Sequence, residues 1–155
     1  MIMYWRELTV NWGESDPFGL VYYPRMLSWF NDTEHELFRR IGYPIDVMID
    51  KDRTTFVMGE VHFRFIGPAA YGETVLSIIK LQKMGTGTLH WKTRCVNAVT
   101  GAPICEGLGT RVYARINEDG MLKAATIPDD MRKALGSLDE FEKLKPENFE
   151  AAFDL

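Results

Sequence analysis

One aspartate lies where a strand-like segment gives way to a helix-like one. Residues 13–19 read Gly-Glu-Ser-Asp-Pro-Phe-Gly, with Asp16 fourth. A carboxylate on such a short loop lies close to the positive end of the helix dipole. Backbone N–H groups near Tyr23 and the first helical turn can bind the oxyanion that develops at a carbonyl, while Asp16 attacks that carbonyl or activates water. Taken alone, the loop favours the plainer interpretation of Asp16 as a turn or cap residue, because short motifs often mislead.

Other combinations of reactive residues are weaker. The three histidines, His35, His62 and His90, fall on different segments without metal-ligand spacing, so we expect no metal site and no metal cofactor. A Gly-x-Ser-x-Gly elbow is missing from the sequence, which argues against the usual serine hydrolases. The Gly-Thr-Gly run at 85–87 lies between strands and is too short for a dinucleotide loop. Glu60 and His62 share one face of a strand, and the pattern assigns them no role.

A long amphipathic helix is predicted directly after the aspartate loop. Pro24 suits the first helical position, where a missing N–H costs nothing. Gly42 and then Pro44 supply a stop. Apolar residues recur at three- and four-residue steps and form one stripe: Met26, Leu27, Phe30, Leu37, Phe38 and Ile41. The other face is predicted to carry Asn31, Asp32, Glu34, His35 and Glu36, with the Glu34–Glu36 group exposed to solvent.

The remaining segments predict an antiparallel sheet. A first strand covers 4–12, and four more cover about 54–65, 74–83, 88–97 and 104–117, separated by Gly- and Pro-containing turns. A short closing helix is expected at 128–135. The order predicts an α+β fold in which five antiparallel strands wrap around one long helix. Because such a sheet has two edges, we expect a dimer with a continuous sheet.

Size and charge limit the functional classes. The chain has 155 residues, 46% of them hydrophobic, which fits one domain at 1–136 followed by a charged tail at 137–155. The net charge of −4, without a cluster of Lys or Arg, argues against nucleic-acid and anionic-membrane partners. No stretch reaches the roughly 20 apolar residues of a membrane span. With only Cys95 and Cys105, read as reduced core thiols, and no signal peptide, the expected location is the cytoplasm.

Several separated motifs resemble one known family. The run from Glu14 to Pro24, Glu-Ser-Asp-Pro-Phe-Gly-Leu-Val-Tyr-Tyr-Pro, is similar to the signature of the 4-hydroxybenzoyl-CoA thioesterase family. Trp29-Phe30, the segment 65–73 and the segment 111–114 leading to Ile127-Pro128 resemble it in the same order. The resemblance extends from about Glu7 to about Leu135, and it reverses the balance for Asp16 in favour of catalysis.

The resemblance implies a hotdog fold, homotetramers built from dimers, and hydrolysis of acyl-CoA without a cofactor. By matching position, Asp16 would be the nucleophile or general base, and the Tyr23 backbone N–H would polarise the thioester carbonyl. The loop and helix residues that would contact the substrate are Phe18, Gly19, Tyr22, Trp29 and Asn31. Ordinary core packing is the alternative for the aromatic residues, more so for Trp29 than for Phe18.

The chain also departs from the family pattern. Asn31 stands where the member that gives the family its name has a carboxylate, although Asp32 follows. The segment 80–88 has only two cations where that member has a cluster of Arg and Lys. Lys83 with the amides of Gly85 and Thr86 is our prediction for the nucleotide side of CoA, and a simple solvated hairpin is the alternative.

The expected activity is therefore hydrolysis of a small aromatic or short-to-medium-chain acyl-CoA to free acid and CoA. One alternative is a thioesterase acting on acyl groups attached to acyl carrier protein, which the negative net charge disfavours because that partner is acidic. Another is a non-catalytic hotdog module that binds acyl-CoA without hydrolysing it.

Overall fold

The computed structural model describes residues 2–137, so the predicted tail lies outside the described residues from position 138 onward. Six strands cover β1 Met3–Thr9, β2 Thr54–Phe65, β3 Thr74–Met84, β4 Thr88–Asn97, β5 Pro103–Ile116 and β6 Leu122–Ala124. Three helices cover α1 Pro24–Arg40, α2 Ile45–Val47 and α3 Asp129–Gly136. A 3-10 turn at Trp12–Glu14 ends the first predicted strand early, and a π-helical turn at Met48–Asp52 follows α2 where a loop was predicted.

All strand pairs are antiparallel, in the order β1-β3-β4-β5-β2. The five long strands match the predicted ones, and the short β6 adds a sixth that pairs with the end of β5 at Ala114, Arg115 and Ile116. Within the described residues β1 and β2 form the two edges of this sheet, because each pairs with a single neighbour.

Helix α1 packs across one face of the sheet. It begins at Pro24, as predicted, and ends at Arg40, before Gly42 turns the chain with a φ of 91°. Its stripe is buried against alternate residues of the strands, which point to the same face. The core lies between helix and sheet and includes Phe30, Leu37, Ile79 and Trp91.

The two cysteines lie in this arrangement as neighbours on adjacent strands. Cys95 of β4 is paired in register with Cys105 of β5, and both thiols are free and buried. Their mutual contact and burial raise the pKa of Cys105 above that of an ordinary thiol. Among the described helices, none is both long and apolar enough to cross a membrane.

Candidate functional site

The aspartate loop is held as a tight, internally bonded turn. The Asp16 N–H donates to the Leu20 carbonyl at 2.7 Å, and the Gly19 N–H donates to the Asp16 carbonyl at 3.0 Å. Asp16 Oδ1 accepts the backbone N–H groups of Phe18 at 2.8 Å and Leu20 at 3.2 Å. Gly19 has a φ of 77°, the left-handed conformation that favours glycine. One carboxylate oxygen is thereby fixed by two amides, while Oδ2 has no hydrogen bond among residues 2–137.

The loop is attached to the rest of the domain on both sides. The Val21 N–H donates to the Ala69 carbonyl at 2.8 Å, in the segment that leads into β3. Glu14 accepts the Asn11 backbone N–H with Oε2 at 2.8 Å and the Trp29 indole N–H with Oε1 at 3.0 Å. Trp29 is only 2% exposed, so its predicted place in the acyl pocket is instead a place in the core, where it anchors the loop to α1.

The N-terminus of α1 offers one backbone donor. Tyr23 precedes Pro24 and already has helical backbone angles, with φ −52° and ψ −35°. The Arg25 N–H donates to the Tyr22 carbonyl and the Met26 N–H to the Tyr23 carbonyl. The Tyr23 N–H has no acceptor within residues 2–137. It is therefore available to an external acceptor at the positive end of the helix dipole.

Exposed aromatic side chains surround this end of the helix. Phe18 is 88% exposed, and Tyr22 and Tyr23 are 52% and 58% exposed. The Tyr23 ring packs edge-on against Phe65 at the end of β2, with 5.4 Å between ring centroids. Large apolar side chains are rarely this exposed in one cluster on a monomer, and such a patch indicates a binding or protein–protein surface.

We use the term furrow for the strip of surface that begins at Tyr23 and lies between α1 and the edge strand β2. Phe30 and Phe63 meet across it with their ring centroids 6.3 Å apart. Val61 and Met58 lie further along the same face of β2 and are 39% and 37% exposed. Gly109 forms part of the floor, where an added Cβ would lie 3.1 Å from the Phe30 ring. The furrow is apolar along this part of its length.

A buried ion pair closes the furrow beneath α1. Glu34 has no exposed surface, and Arg111 of β5 is 6% exposed. Arg111 Nε donates to both Glu34 oxygens, at 3.1 and 3.0 Å, and Nη2 donates to Asn31 Oδ1 at 2.9 Å. Burial raises the pKa of Glu34 to about 7, against the opposing effect of Arg111. Burial also lowers the pKa of the neighbouring His35, and the Arg111 charge adds to that shift.

The prediction that Glu34 lies on a solvent-exposed face is therefore wrong. Glu34 is four residues after Phe30 and three before Leu37, so helical spacing already places it on the buried stripe. The charge of Glu34 suggested a solvent-exposed position although its spacing indicates burial, and no local pattern indicated its partner Arg111, 77 positions away. Asn31 is half-buried and Asp32 is exposed, as the polar face predicts.

The hairpin predicted for the CoA nucleotide lies far from this loop within one chain. Thr9 of β1 pairs with Thr74, so the loop after β1 is next to the start of β3, whereas Lys83 is near its end. Ten residues of strand separate the two ends by about 33 Å. The carbonyls of Gly85 and Thr86 both accept hydrogen bonds from Arg132 of α3. Lys83 is exposed.

Two further groups considered from sequence lie elsewhere. Glu60 and His62 are exposed on β2, with 4.0 Å between Oε1 and Nε2. His62 also lines an open trough of about 580 Å³ on the face of the sheet away from α1, together with Gln82, Lys92 and Leu108. The Asp16 loop is not part of its lining, whereas Phe63, which contacts Phe30 on the helix side, also borders the trough. No group of three or more residues suited to hold a metal ion occurs in the part of the chain that the structure describes.

Comparison with known proteins places these features in context. The family model of the thioesterase-like superfamily matches residues 10–135. No curated protein sequence is significantly similar to the chain. A 1,4-dihydroxy-2-naphthoyl-CoA thioesterase from Synechocystis superposes with a TM-score of 0.80 at 16% identity, over 88% of this chain and 98% of the other. For 4-hydroxybenzoyl-CoA thioesterase from Pseudomonas sp. strain CBS-3 the values are 0.77, 16%, 85% and 98%.

A third solved structure has a similar fold. It is an aspartate-to-asparagine mutant of 4-hydroxybenzoyl-CoA thioesterase in complex with 4-hydroxybenzoyl-CoA. It superposes with a TM-score of 0.78 at 16% identity, over 86% of this chain and 98% of the other. These superpositions confirm the predicted α+β hotdog architecture, an antiparallel sheet wrapped around one long helix.

Proposed function

Because the chain belongs to the thioesterase-like superfamily, and is thus the predicted thioester hydrolase, we propose that it releases CoA from small aromatic or short-to-medium-chain acyl-CoA esters, with Asp16 as the catalytic carboxylate. One observation carries the proposal. The Asp16 carboxylate is fixed through Oδ1 by two amides, its Oδ2 is left without a partner, and the loop leads into a helix whose Tyr23 N–H has no acceptor among the described residues.

The chemistry needs only these groups and water. The Tyr23 N–H donates to the thioester carbonyl oxygen and stabilises the negative charge that develops there. Asp16 either attacks the carbonyl carbon, giving a mixed anhydride that water then hydrolyses, or removes a proton from an attacking water. In both routes the carbon–sulfur bond breaks, the CoA thiolate leaves and takes up a proton, and the acid is released.

The substrate contacts follow from the positions of the neighbouring side chains. Phe18 and Tyr22 are exposed beside the loop and suit the acyl group or the pantetheine arm, and the backbone at Gly19 lets the substrate approach closely. Asn31 lies further along α1, next to the far part of the furrow. Trp29 supports the site from the core through Glu14.

A second copy of the chain would complete this site. The aromatic side chains around Asp16 and Tyr23 are exposed in a single chain, so they do not shield these two groups from water. Oxyanion stabilisation is strongest where water is excluded. β2 is an edge strand with an exposed apolar face next to the furrow, which suits pairing with β2 of a partner. The proposed assembly is a homodimer that associates into a homotetramer. In that assembly Lys83, Gly85 and Thr86 would contact CoA bound at the loop of another chain.

The test is CoA release from a panel of aromatic and aliphatic acyl-CoA esters. Asp16→Asn keeps an oxygen that accepts both loop amides, so the loop should fold while turnover falls by at least about 100-fold and substrate binding persists. Asp119→Asn is the matched control, because Asp119 also accepts a backbone N–H in an exposed turn, at 3.0 Å from Met121. Equal loss in both variants, or full activity of Asp16→Asn, would remove Asp16 from the chemistry.

The same panel separates the alternatives. If neither wild type nor Asp16→Asn releases CoA while both bind acyl-CoA equally, the chain is a binding module. If wild type cleaves acyl groups on acyl carrier protein at least tenfold more efficiently than the matching CoA esters, the carrier-bound thioester is its substrate.

A further inference from the structure

Arg111 is held by its neighbours but retains an unused donor. Glu34 binds Nε and Asn31 binds Nη2, which fixes the plane of the guanidinium group. Nη1 has no hydrogen bond among the described residues. Among the described residues, every buried side-chain polar atom except Ser15 Oγ and Trp91 Nε1 has a hydrogen-bond partner. Because Nη1 has no partner and is not one of these two atoms, it lies on accessible surface.

The donor lies in the furrow that begins at Tyr23. Arg111 and its strand neighbour Met58 face α1, and Arg111 contacts Phe30 and Asn31 on the side of the helix next to β2. Eight residues of α1 separate Tyr23 from Asn31, which is about 12 Å along the helix axis. An acyl group whose thioester oxygen is bound at Tyr23 and whose chain follows the furrow would bring its far end close to Arg111.

We propose that Arg111 Nη1 is a specificity determinant that binds a carbonyl oxygen at the far end of the acyl group, so that the preferred substrates are oxo-substituted acyl-CoA esters. This inference rests on the proposed thioesterase function. Nη1 only donates hydrogen bonds, which suits a carbonyl oxygen that only accepts. A hydroxyl group would also need an acceptor for its own hydrogen. A terminal carboxylate would be repelled by the ionised form of Glu34, which shares the same guanidinium group.

A purely structural role accounts for only part of this arrangement. Linking α1 to β5 requires the bonds to Glu34 and Asn31, and it does not require accessible surface at Nη1. A desolvated, pre-oriented guanidinium group makes stronger hydrogen bonds than one in water. By contrast, a buried ion pair with a purely structural role could be replaced by apolar residues of similar volume at little cost in stability.

The test compares pairs of substrates in which a carbonyl oxygen of one member is replaced by a methyl group in the other. 4-Acetylbenzoyl-CoA is paired with 4-isopropylbenzoyl-CoA, and 7-oxooctanoyl-CoA with 7-methyloctanoyl-CoA, since each pair has nearly the same shape. Wild type should prefer the oxo member of at least one pair by about 10- to 100-fold in kcat/KM. The double variant Glu34→Gln/Arg111→Met removes both members of the buried pair together and should reduce that preference to less than about threefold, because the oxo ester loses more kcat/KM than the apolar one. Arg64→Met, an exposed arginine on the other face of the sheet, is the control and should keep it.

The outcomes are distinguishable from failure of the proposed function. Equal kcat/KM for both members of both pairs in wild type refutes the carbonyl subsite and leaves the thioesterase intact. Equal losses for both members in the double variant show that Arg111 acts on the fold alone and also refute it. If no ester is hydrolysed, the proposed function fails. The dissociation constants of Asp16→Asn for the same four esters then decide the subsite, and equal constants within each pair refute it.

Discussion

The buried carboxylate of Glu34 should make the stability of the domain depend on pH in a way that one substitution removes. Glu34 is fully buried, and burial raises its pKa from 4.5 to about 7. Between those two pH values the folded protein retains a proton that the unfolded chain has lost. The contribution of Glu34 to the free energy of unfolding is therefore complete below about pH 4.5 and is lost as pH rises through about 7.

The size of the effect follows from the shift. Each pKa unit corresponds to about 1.4 kcal/mol, and between pH 5 and pH 8 the shift of Glu34 amounts to about 2 to 3 kcal/mol of lost stability. In Glu34→Gln the uncharged side chain still accepts a hydrogen bond from Arg111, and this component of the pH dependence is missing. His35, whose pKa burial lowers, has the opposite slope, but it titrates in both proteins and cancels in the comparison.

The measurement is chemical denaturation of wild type and Glu34→Gln at pH 5 and pH 8. We expect wild type to lose about 2 to 3 kcal/mol more than the variant over this range, whatever the absolute difference between them at either pH. Glu118→Gln, at an exposed turn, is the control and should parallel wild type. Parallel profiles of wild type and Glu34→Gln, within about 0.5 kcal/mol, would refute the argument that burial governs the titration of Glu34.

Two further substitutions test the support of the site and of the furrow. Trp29→Phe removes the 3.0 Å bond to Glu14 and should lower kcat about tenfold with a smaller change in KM and a stability loss of about 1 kcal/mol, because the loop that holds Asp16 loses its anchor; unchanged kcat in steady-state assays would show that the loop does not need it. Gly107→Ala places a Cβ 2.3 Å from the Phe63 ring and 2.6 Å from the His62 carbonyl oxygen and should destabilise the domain by about 2 kcal/mol or more in thermal unfolding; a melting temperature equal to that of wild type would show that both the ring and the strand backbone shift at no cost.

Much of the fold could be predicted because local rules agree along the chain. Pro24 starts α1 and Gly42 follows its end, as capping preferences predict. The four long strands after the helix lie within one residue of their predicted bounds, because alternation and turn residues mark both ends. The first strand was predicted too long, since Val10 and Trp12 continue the alternation after Leu8 although β1 ends at Thr9 and the chain turns as a 3-10 helix from Trp12.

Only part of the candidate site could be predicted, because some of its residues are close together in sequence and others are brought together only by the fold. The loop with Asp16 and the helix N-terminus with Tyr23 are adjacent in sequence, so turn and cap residues indicate them directly. Arg111 is brought to Glu34 by strand register across the sheet, which no local pattern specifies. Strand direction would have predicted that Lys83 lies far from the loop, since an antiparallel β3 that starts next to the end of β1 must end about 33 Å away.

The polar contacts beneath α1 also determine where the helix begins relative to the loop. Apolar packing between helix and sheet is non-directional, so by itself it tolerates small axial shifts of the helix. Two successive residues oppose such shifts: Thr33 Oγ1 lies 2.8 Å from Ser77 Oγ of β3, and Glu34 binds Arg111 of β5. Hydrogen bonds to strands on both sides of β4 fix the helix both along its axis and in rotation. Because Tyr23 lies ten residues before Thr33 on the same rigid element, these buried bonds fix the position of its N–H next to the loop carboxylate.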